Sequence, residues 1–501
     1  MENSQPQTSK SIVRNVFYGF LTWILPLGLS FAATPFIIET LGKKDYGIYV
    51  LVLGFVGYSF TFNIGSAITK YIAEYRGSGE TEKIRDVISA TFFINVAVGL
   101  FGVAVICLSA NQIVEEVFKI GGEDQRKTVT ALYIAAAVIF FTMLNQVFSA
   151  VLQGIHRFDV YSKIFNASSF ALLLGNLVLA WLGHGLLILL GWNLLIICLT
   201  CAVFALGARK LLPEFGISFR FKSETLGLVL RYSSGIIGYQ ILGNLLLLFE
   251  RGWLIRQLGA ENLTYYVVPM TLGLYIHGFI SSLMLVIFPL TSELKDDKDK
   301  LLRLYTKATK IACLLVVFLA TTLIIENRYF LSLWVGDDFA EKSSDLLVLH
   351  TITFGSAAIL TISWQMTDGL GFTKYNFKLF SVCWILTVIL IIGLTPDYGN
   401  YGIAIARLVG FGVIFFSIFY VENWIFGKIQ IKFWLAVIGK LAFAAIICGI
   451  VEKILILNLP RNWLSLLLAV GFGGIVYCSL LWLLKYVSIE EKLLLRRILS
   501  R

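Results

Sequence analysis

The sequence predicts an all-α polytopic membrane protein, and three observations carry that reading. Hydrophobic residues make up 58% of the 501 and charged residues only 14%, with a mean hydropathy of +0.82. Soluble domains hold roughly 25% charged residues. The apolar residues come in non-alternating runs of about 20, the length at which a helix crosses a bilayer. The layout also repeats: Arg14, Leu41-Gly42 and Tyr49 are matched by Arg231, Leu258-Gly259 and Tyr266, each 217 residues further on.

About fourteen helices are expected, near 15–39, 46–70, 87–109, 128–152, 162–182, 186–208, 231–256, 264–290, 305–326, 344–366, 377–395, 400–424, 434–457 and 463–486. The first has no charge from Val16 to Ile38, and it is too long, and lacks the small-residue site, for a cleavable signal peptide. Leu41 to Asp45 form a polar turn into the second run. The match at 217 persists in Gly154-Ile155-His156-Arg157 against Gly371-Phe372-Thr373-Lys374, and in Gly185-Leu186 against Gly402-Ile403. Six helices is an even number, so the halves are parallel repeats, with a substrate site expected between them. The expected organisation is an N-terminal six-helix lobe (1–208), a linker (209–230), a C-terminal six-helix lobe (231–424), and two added helices with a tail (425–501) that have no counterpart.

Alternate connections differ in charge. The chain ends and the even-numbered connections hold 28 Lys and Arg, against 11 on the other side. That bias places both termini in the cytoplasm, with the chain in the cytoplasmic (inner) membrane. The net charge of +10 is therefore an orientation signal, and no nucleic-acid partner is needed. The seven cysteines all lie inside apolar runs and read as small apolar filler. The sequence has no phosphate-cradling Gly-x-x-x-x-Gly-Lys-Ser/Thr, no His-Glu-x-x-His and only four His, so no nucleotide site, metal or catalytic residue is expected. The first outer loop, Gly42-Lys43-Lys44-Asp45, is short and basic, unlike the acidic loop of membrane glycosyltransferases. Asp337-Asp338 reads as a solvated outer loop.

Several motifs, taken in order and spacing, carry a family resemblance. They are Leu41-Gly42 with Tyr46-Gly47-Ile48-Tyr49, Glu250-Arg251 before Leu258-Gly259, and Trp334-Val335-Gly336. Asp368-Gly369-Leu370-Gly371 and Tyr398-Gly399-Asn400-Tyr401-Gly402 complete them. The chain resembles the polysaccharide-biosynthesis flippases of the O-antigen transporter type, in the superfamily that includes multidrug extruders and the peptidoglycan-precursor flippase. That type commonly has Asp where Glu250 stands. The resemblance implies a V-shaped central cleft between two six-helix lobes, opening alternately to each side. It also implies a cargo: an oligosaccharide on polyprenyl pyrophosphate, carried to the outer leaflet for surface polysaccharide synthesis. Two other readings remain open, an ion-coupled small-molecule or multidrug antiporter of the same fold and a membrane glycosyltransferase. No cofactor is expected beyond a coupling ion, H+ or Na+. Partners are the lipid-linked oligosaccharide, membrane lipid and other polysaccharide-assembly membrane proteins.

A pyrophosphate needs cations in a hydrated cleft, and ionisable groups inside a membrane are costly unless paired or hydrated. The candidates for cleft lining are Arg14, Arg231, Glu250, Arg251 and Arg407, with the polar Asn63, Asn244 and His277. Arg14 and Arg231 are repeat equivalents at the starts of helices 1 and 7. Glu39 and Arg256 are also 217 apart, at the outer ends of the same helices, and are expected to latch the outer gate.

Overall fold

A computed structural model describes residues 26–59, 65–78, 80–155, 157–218, 223–284, 287, 290, 291 and 294–486. Among the described residues there is no strand. The helices are α1 (Pro26–Leu41), α2 (Lys43–Ser59), α3 (Gly65–Ser78), α4 (Thr81–Gln112), α5 (Glu123–Gly154), α6 (Phe158–Trp181), α7 (Leu186–Leu211), α8 (Ser223–Leu258), α9 (Ala260–Met284), α10 (Lys298–Ile325), α11 (Asn327–Trp334), α12 (Asp337–Gly369), α13 (Thr373–Gly412), α14 (Ile431–Asn458) and α15 (Trp463–Leu483). Among the described residues ten helical stretches are long and apolar enough to span a membrane, and the one over 373–425 covers two of the expected helices. Within it the break falls at Pro396, which lacks an N–H, and at Gly399, whose φ of 53° is left-handed.

The chain forms two compact units, Met1–Thr264 and Tyr265–Arg501. The boundary lies one helix beyond the start of the sequence repeat at Arg231, because α8 is fastened to α2. In the first unit α5 is central, packing on α2, α3, α4, α6 and α7. Its core joins Ile68 and Ile72 of α3, Ile84 and Ile88 of α4, Val147 and Val151 of α5, and Phe204 of α7. Phe101, Leu108, Trp181 and Leu206 are exposed, an apolar surface suited to lipid rather than water. In the second unit α12, the repeat counterpart of α5, is central and packs on α10, α11 and α13. The two added helices pair with each other and lie on α10, around Cys313, Leu441, Ala444 and Tyr477.

The repeat is visible in the backbone. Gly42 and Gly259, 217 apart, both turn left-handed (φ 78° and 87°), which a Cβ disfavours. Gly47 of α2 and its equivalent Thr264 meet: a Cβ on Gly47 would lie 3.1 Å from the Thr264 hydroxyl and 2.0 Å from the Ala260 carbonyl oxygen. The Thr264 hydroxyl donates to the Lys43 carbonyl (2.6 Å). The turn that holds Gly42 is braced to α5 by Lys127, whose ammonium reaches Asp45 (2.6 Å) and Asp124 (3.0 Å), and by a Lys44–Asp124 pair. The corresponding brace of the second unit uses Tyr265, which donates from its hydroxyl to Asp338 (3.3 Å) and accepts from Ser343 at its carbonyl (3.0 Å).

Two expectations change. Asp337 and Asp338 are not loop residues but open the first turn of α12, where the helix dipole favours acids; Asp337 pairs with Arg461 and Asp338 with Lys342. The segment before them is the short helix α11, which buries Leu331 and Trp334 and ends at Gly336, φ 121°. Eight residues give too few turns for periodicity to reveal.

The stretch after α13 ends in a π-helical turn, Tyr420–Ile425, that carries Glu422 into the interior. This fully buried carboxylate accepts from the Tyr305 hydroxyl (2.9 Å), the Trp434 indole N–H (2.6 Å) and the Gln430 backbone N–H (2.7 Å). It ties α10 to the start of α14. Each buried donor left without an acceptor costs about 1–3 kcal/mol. Glu422→Ala should therefore lower the thermal midpoint of the purified protein in detergent markedly, while exposed Lys300→Ala changes it little. Equal midpoints would show that Glu422 does not hold this junction.

Candidate functional site

In the first unit, two places join helices through buried polar side chains. Glu250 and Arg251 of α8 are both buried, 1% and 8% exposed. Arg251 lies against α2, its Nη1 donating to the Val50 carbonyl at 2.8 Å. Gly54 opens that seat, since a Cβ there would stand 2.0 Å from the same nitrogen. A glycine four residues after Val50 leaves room for a guanidinium to reach a carbonyl already used by the helix. The second place is Tyr49, also on α2. Its hydroxyl accepts from Asn193 of α7 (3.0 Å) and Asn176 of α6 (3.3 Å), and Asn176 donates to Asn193 (3.0 Å).

In the second unit, the repeat equivalent of Tyr49 again lies in a polar interior. Tyr266 meets the His350 ring edge-on at 4.7 Å between centroids. Neither His350 nitrogen has a hydrogen-bond partner among the described residues, and the residue is fully buried. Arg407 of α13, 2% exposed, lies between the rings of Phe354 and Phe411, 5.6 and 5.4 Å from their centroids. Cation–π attraction to two aromatic faces, worth about 2 kcal/mol or more when desolvated, offsets part of the cost of burying the guanidinium. His277 of α9 is half-buried, 3.5 Å from Ser281 and from Thr361.

The remaining expected residues divide. Asn244 is half-buried on α8. Glu39 and Arg256 both lie in the first unit; both are exposed, and no ion pair joins them. Arg14 and Asn63 fall outside the described residues, as does the side chain of Arg231, although its backbone is part of α8. Sequence reasoning missed Gly54, Asn176, Asn193 and His350. Only a glycine inside an apolar run, and lone asparagines in helices 5 and 6, marked them.

Several of the other motifs behind the resemblance build turns. Trp334 is buried where α11 meets α12. Asp368 accepts from Asn376 (2.9 Å), tying the end of α12 to α13 across Gly371, φ 88°. Among the described residues no cluster of three or more His, Cys, Asp or Glu could hold a metal ion.

The Arg251 seat makes a direct prediction. Gly54→Val drives a side chain into the space of the guanidinium, so Arg251 must leave Val50, with a loss of about 1.5–3 kcal/mol for a hydrogen bond to a charged group. The variant should insert normally but melt earlier than Gly191→Ala, a position where a Cβ meets nothing within 4 Å. Equal melting would remove Arg251 from the packing of α8 on α2.

Comparison with known proteins places this architecture. The family described as "Polysaccharide biosynthesis protein" matches residues 40–344. A Shigella flexneri protein named "Putative O-antigen transporter" is 21% identical over 402 residues, covering 79% of this chain and 94% of that protein. An uncharacterized membrane protein of Methanocaldococcus jannaschii is 20% identical over 98% of this chain and 99% of its own length. Among solved structures, the lipid II flippase MurJ in an inward closed conformation aligns with a TM-score of 0.71 at 15% identity, over 93% of this chain and 98% of its own. An inward-facing multidrug resistance MATE transporter aligns at 0.64 and 15% identity, over 82% and 94%. The chain is a multi-pass membrane protein and belongs to the polysaccharide biosynthesis protein family.

Proposed function

We propose that the protein carries a polyprenyl-pyrophosphate-linked oligosaccharide from the cytoplasmic to the outer leaflet of the cytoplasmic membrane, with both termini inside. The observation that carries this reading is the match to the Shigella flexneri relative named an O-antigen transporter, over nearly that protein's whole length. The buried guanidinium groups of Arg251 and Arg407 support it, since each unit keeps a permanent positive charge in its interior. Anionic cargo favours cations, whereas cationic drugs favour unpaired acids. Arg14 and Arg231, equivalent by the repeat, would meet the pyrophosphate at the cytoplasmic side, where Arg offers bidentate contacts. Glu39 and Arg256, exposed and separate here, would pair only in a state closed at the outer side. A proton or sodium gradient would drive the cycle, and other polysaccharide-assembly membrane proteins would take the cargo outside.

The MATE likeness supports a second reading, a small-molecule antiporter of the same fold. One experiment separates them. Deleting the gene should cause lipid-linked glycan to accumulate on the cytoplasmic leaflet, inaccessible to an impermeant lectin added to intact cells, with drug sensitivity unchanged. The wild-type gene should restore surface glycan and Arg407→Gln should do so at least tenfold less well, at equal membrane abundance. Normal surface glycan with new drug sensitivity would favour the antiporter.

A further inference from the structure

In the second unit α15 runs antiparallel to α10, joined to it by a row of three contacts. A Cβ on Gly474 would stand 3.2 Å from Phe318 Cζ. The Tyr477 hydroxyl donates to the Leu314 carbonyl (3.1 Å), and the Tyr486 hydroxyl donates to the Lys310 carbonyl (2.8 Å). Beside this row runs an apolar groove of about 490 Å³. It is lined by Leu314, Leu315 and Phe318 of α10 and by Gly471, Gly474 and Ile475 of α15. Ligand-sized pockets span roughly 300–1,000 Å³. The groove opens outward beside the exposed side chains of Phe472 and Ile475, a surface suited to lipid.

One end of the groove is cationic. α15 is followed by Lys485, whose φ of 51° is left-handed, a conformation that few side chains adopt. That turn sends Tyr486 back onto α10, where its ring is buried and lies under the Lys310 ammonium, 5.1 Å from the centroid. The turn also presents the Lys485 carbonyl to α14, and the Lys440 ammonium donates to it (3.4 Å). Cations from α10, α14 and the end of α15 therefore gather around two residues. Lys440 and Lys485 form no ion pair among the described residues. Asp297, the acid that caps α10, is taken by Lys300 (2.9 Å), more than three turns before Lys310. Lys310 stands one turn from Leu314 and two from Phe318, about 6 and 12 Å along the axis. The charge is thus at the mouth, and the groove runs on from it into the apolar part of α10.

Cations drawn together repel one another, and an anion set among them relieves the repulsion. Basic pockets between helices near the membrane surface hold acidic lipid head groups. We propose that α10, α14 and α15 form a binding site for an anionic phospholipid, with its head group on Lys310, Lys440 and Lys485 and one acyl chain in the groove. A zwitterionic lipid would fill the groove but bring an ammonium to the lysines. Free phosphate would meet the lysines and leave the groove unused. The site therefore has two parts that can be tested apart.

The test uses the purified full chain in detergent, with phosphatidylglycerol or phosphatidylcholine added, and measures bound lipid by native mass spectrometry. Phosphatidylglycerol should bind at least tenfold more tightly than phosphatidylcholine. Combining Lys310→Gln, Lys440→Gln and Lys485→Gln should remove that preference, while the bonds to the backbone carbonyls of residues 310 and 314 remain. Gly471→Leu places a side chain where a Cβ meets nothing within 4 Å. It should fill the groove and weaken phosphatidylglycerol binding at least tenfold, with the thermal midpoint of the lipid-free protein unchanged. Lys298→Gln, at the exposed start of α10, should alter neither lipid. The proposal is overturned if the two lipids bind alike, if the triple variant keeps the preference, or if Gly471→Leu binds phosphatidylglycerol like the wild type. It is also overturned if equimolar polyprenyl phosphate displaces phosphatidylglycerol, or if the chain is a dimer that Gly471→Leu separates. None of these readouts involves transport, so the lipid site and the proposed cargo stand or fall separately.

Discussion

A polar side chain inside a lipid-embedded unit has no solvent to fall back on, and much of the structure follows from how each such group is met. Helices satisfy the backbone by themselves. Side chains must find partners across helices, and where they do, the helices are held in register. Glu422 gathers three donors from α10, α14 and the segment between. Tyr49 gathers two asparagines from α6 and α7. Arg251 reaches a carbonyl of α2 through the gap left by Gly54. Between lipid and helix there is little apolar driving force, so such bonds and close backbone approaches do much of the selecting among packings.

The duplication reuses positions more faithfully than it reuses chemistry. Gly42 and Gly259 make the same left-handed turn. Tyr49 and Tyr266 both reach the interior, yet one is met by amides and the other by a histidine ring. The brace between α2 and α5 is ionic in the first unit, and that between α9 and α12 is tyrosine-based in the second. Gly154 and Gly371 diverge further: Gly371 turns left-handed, while Gly154 stays helical and packs against Ile72. Backbone geometry constrains a repeat more tightly than any single side-chain pair, since a turn that fails moves a whole helix.

The added helices are more than a lipid-facing appendage. They share a core with α10, and buried Glu452 of α14 accepts a hydrogen bond from the Thr322 hydroxyl of α10. An arginine stays charged at every physiological pH, so Arg251 and Arg407 impose a fixed field.

How much was legible in advance depended on distance along the chain. Composition alone dictated the solvent, because 58% hydrophobic residues cannot be hidden in a water-soluble core of this size. Run length located the helices, and the 217-residue spacing located the turns, because a left-handed turn needs a glycine and leaves it in the sequence. Most of the motifs that carried the family resemblance proved to be turn builders or helix contacts, which explains why they report fold rather than cargo. The break at Pro396 and Gly399 and the short helix α11 were hidden, the one by a continuous apolar run and the other by brevity. The site was less legible. Glu250, Arg251 and Arg407 were conspicuous as charges in apolar runs, but Gly54, Asn176, Asn193 and His350 matter through contacts 84 to 197 residues away; for Tyr49, the partners lie 127 and 144 positions on. The sequence by itself determined the solvent, the helices and their repetition, which are local and periodic properties. Only the tertiary structure decided which polar groups meet, because that is set by how helices rotate and close on one another.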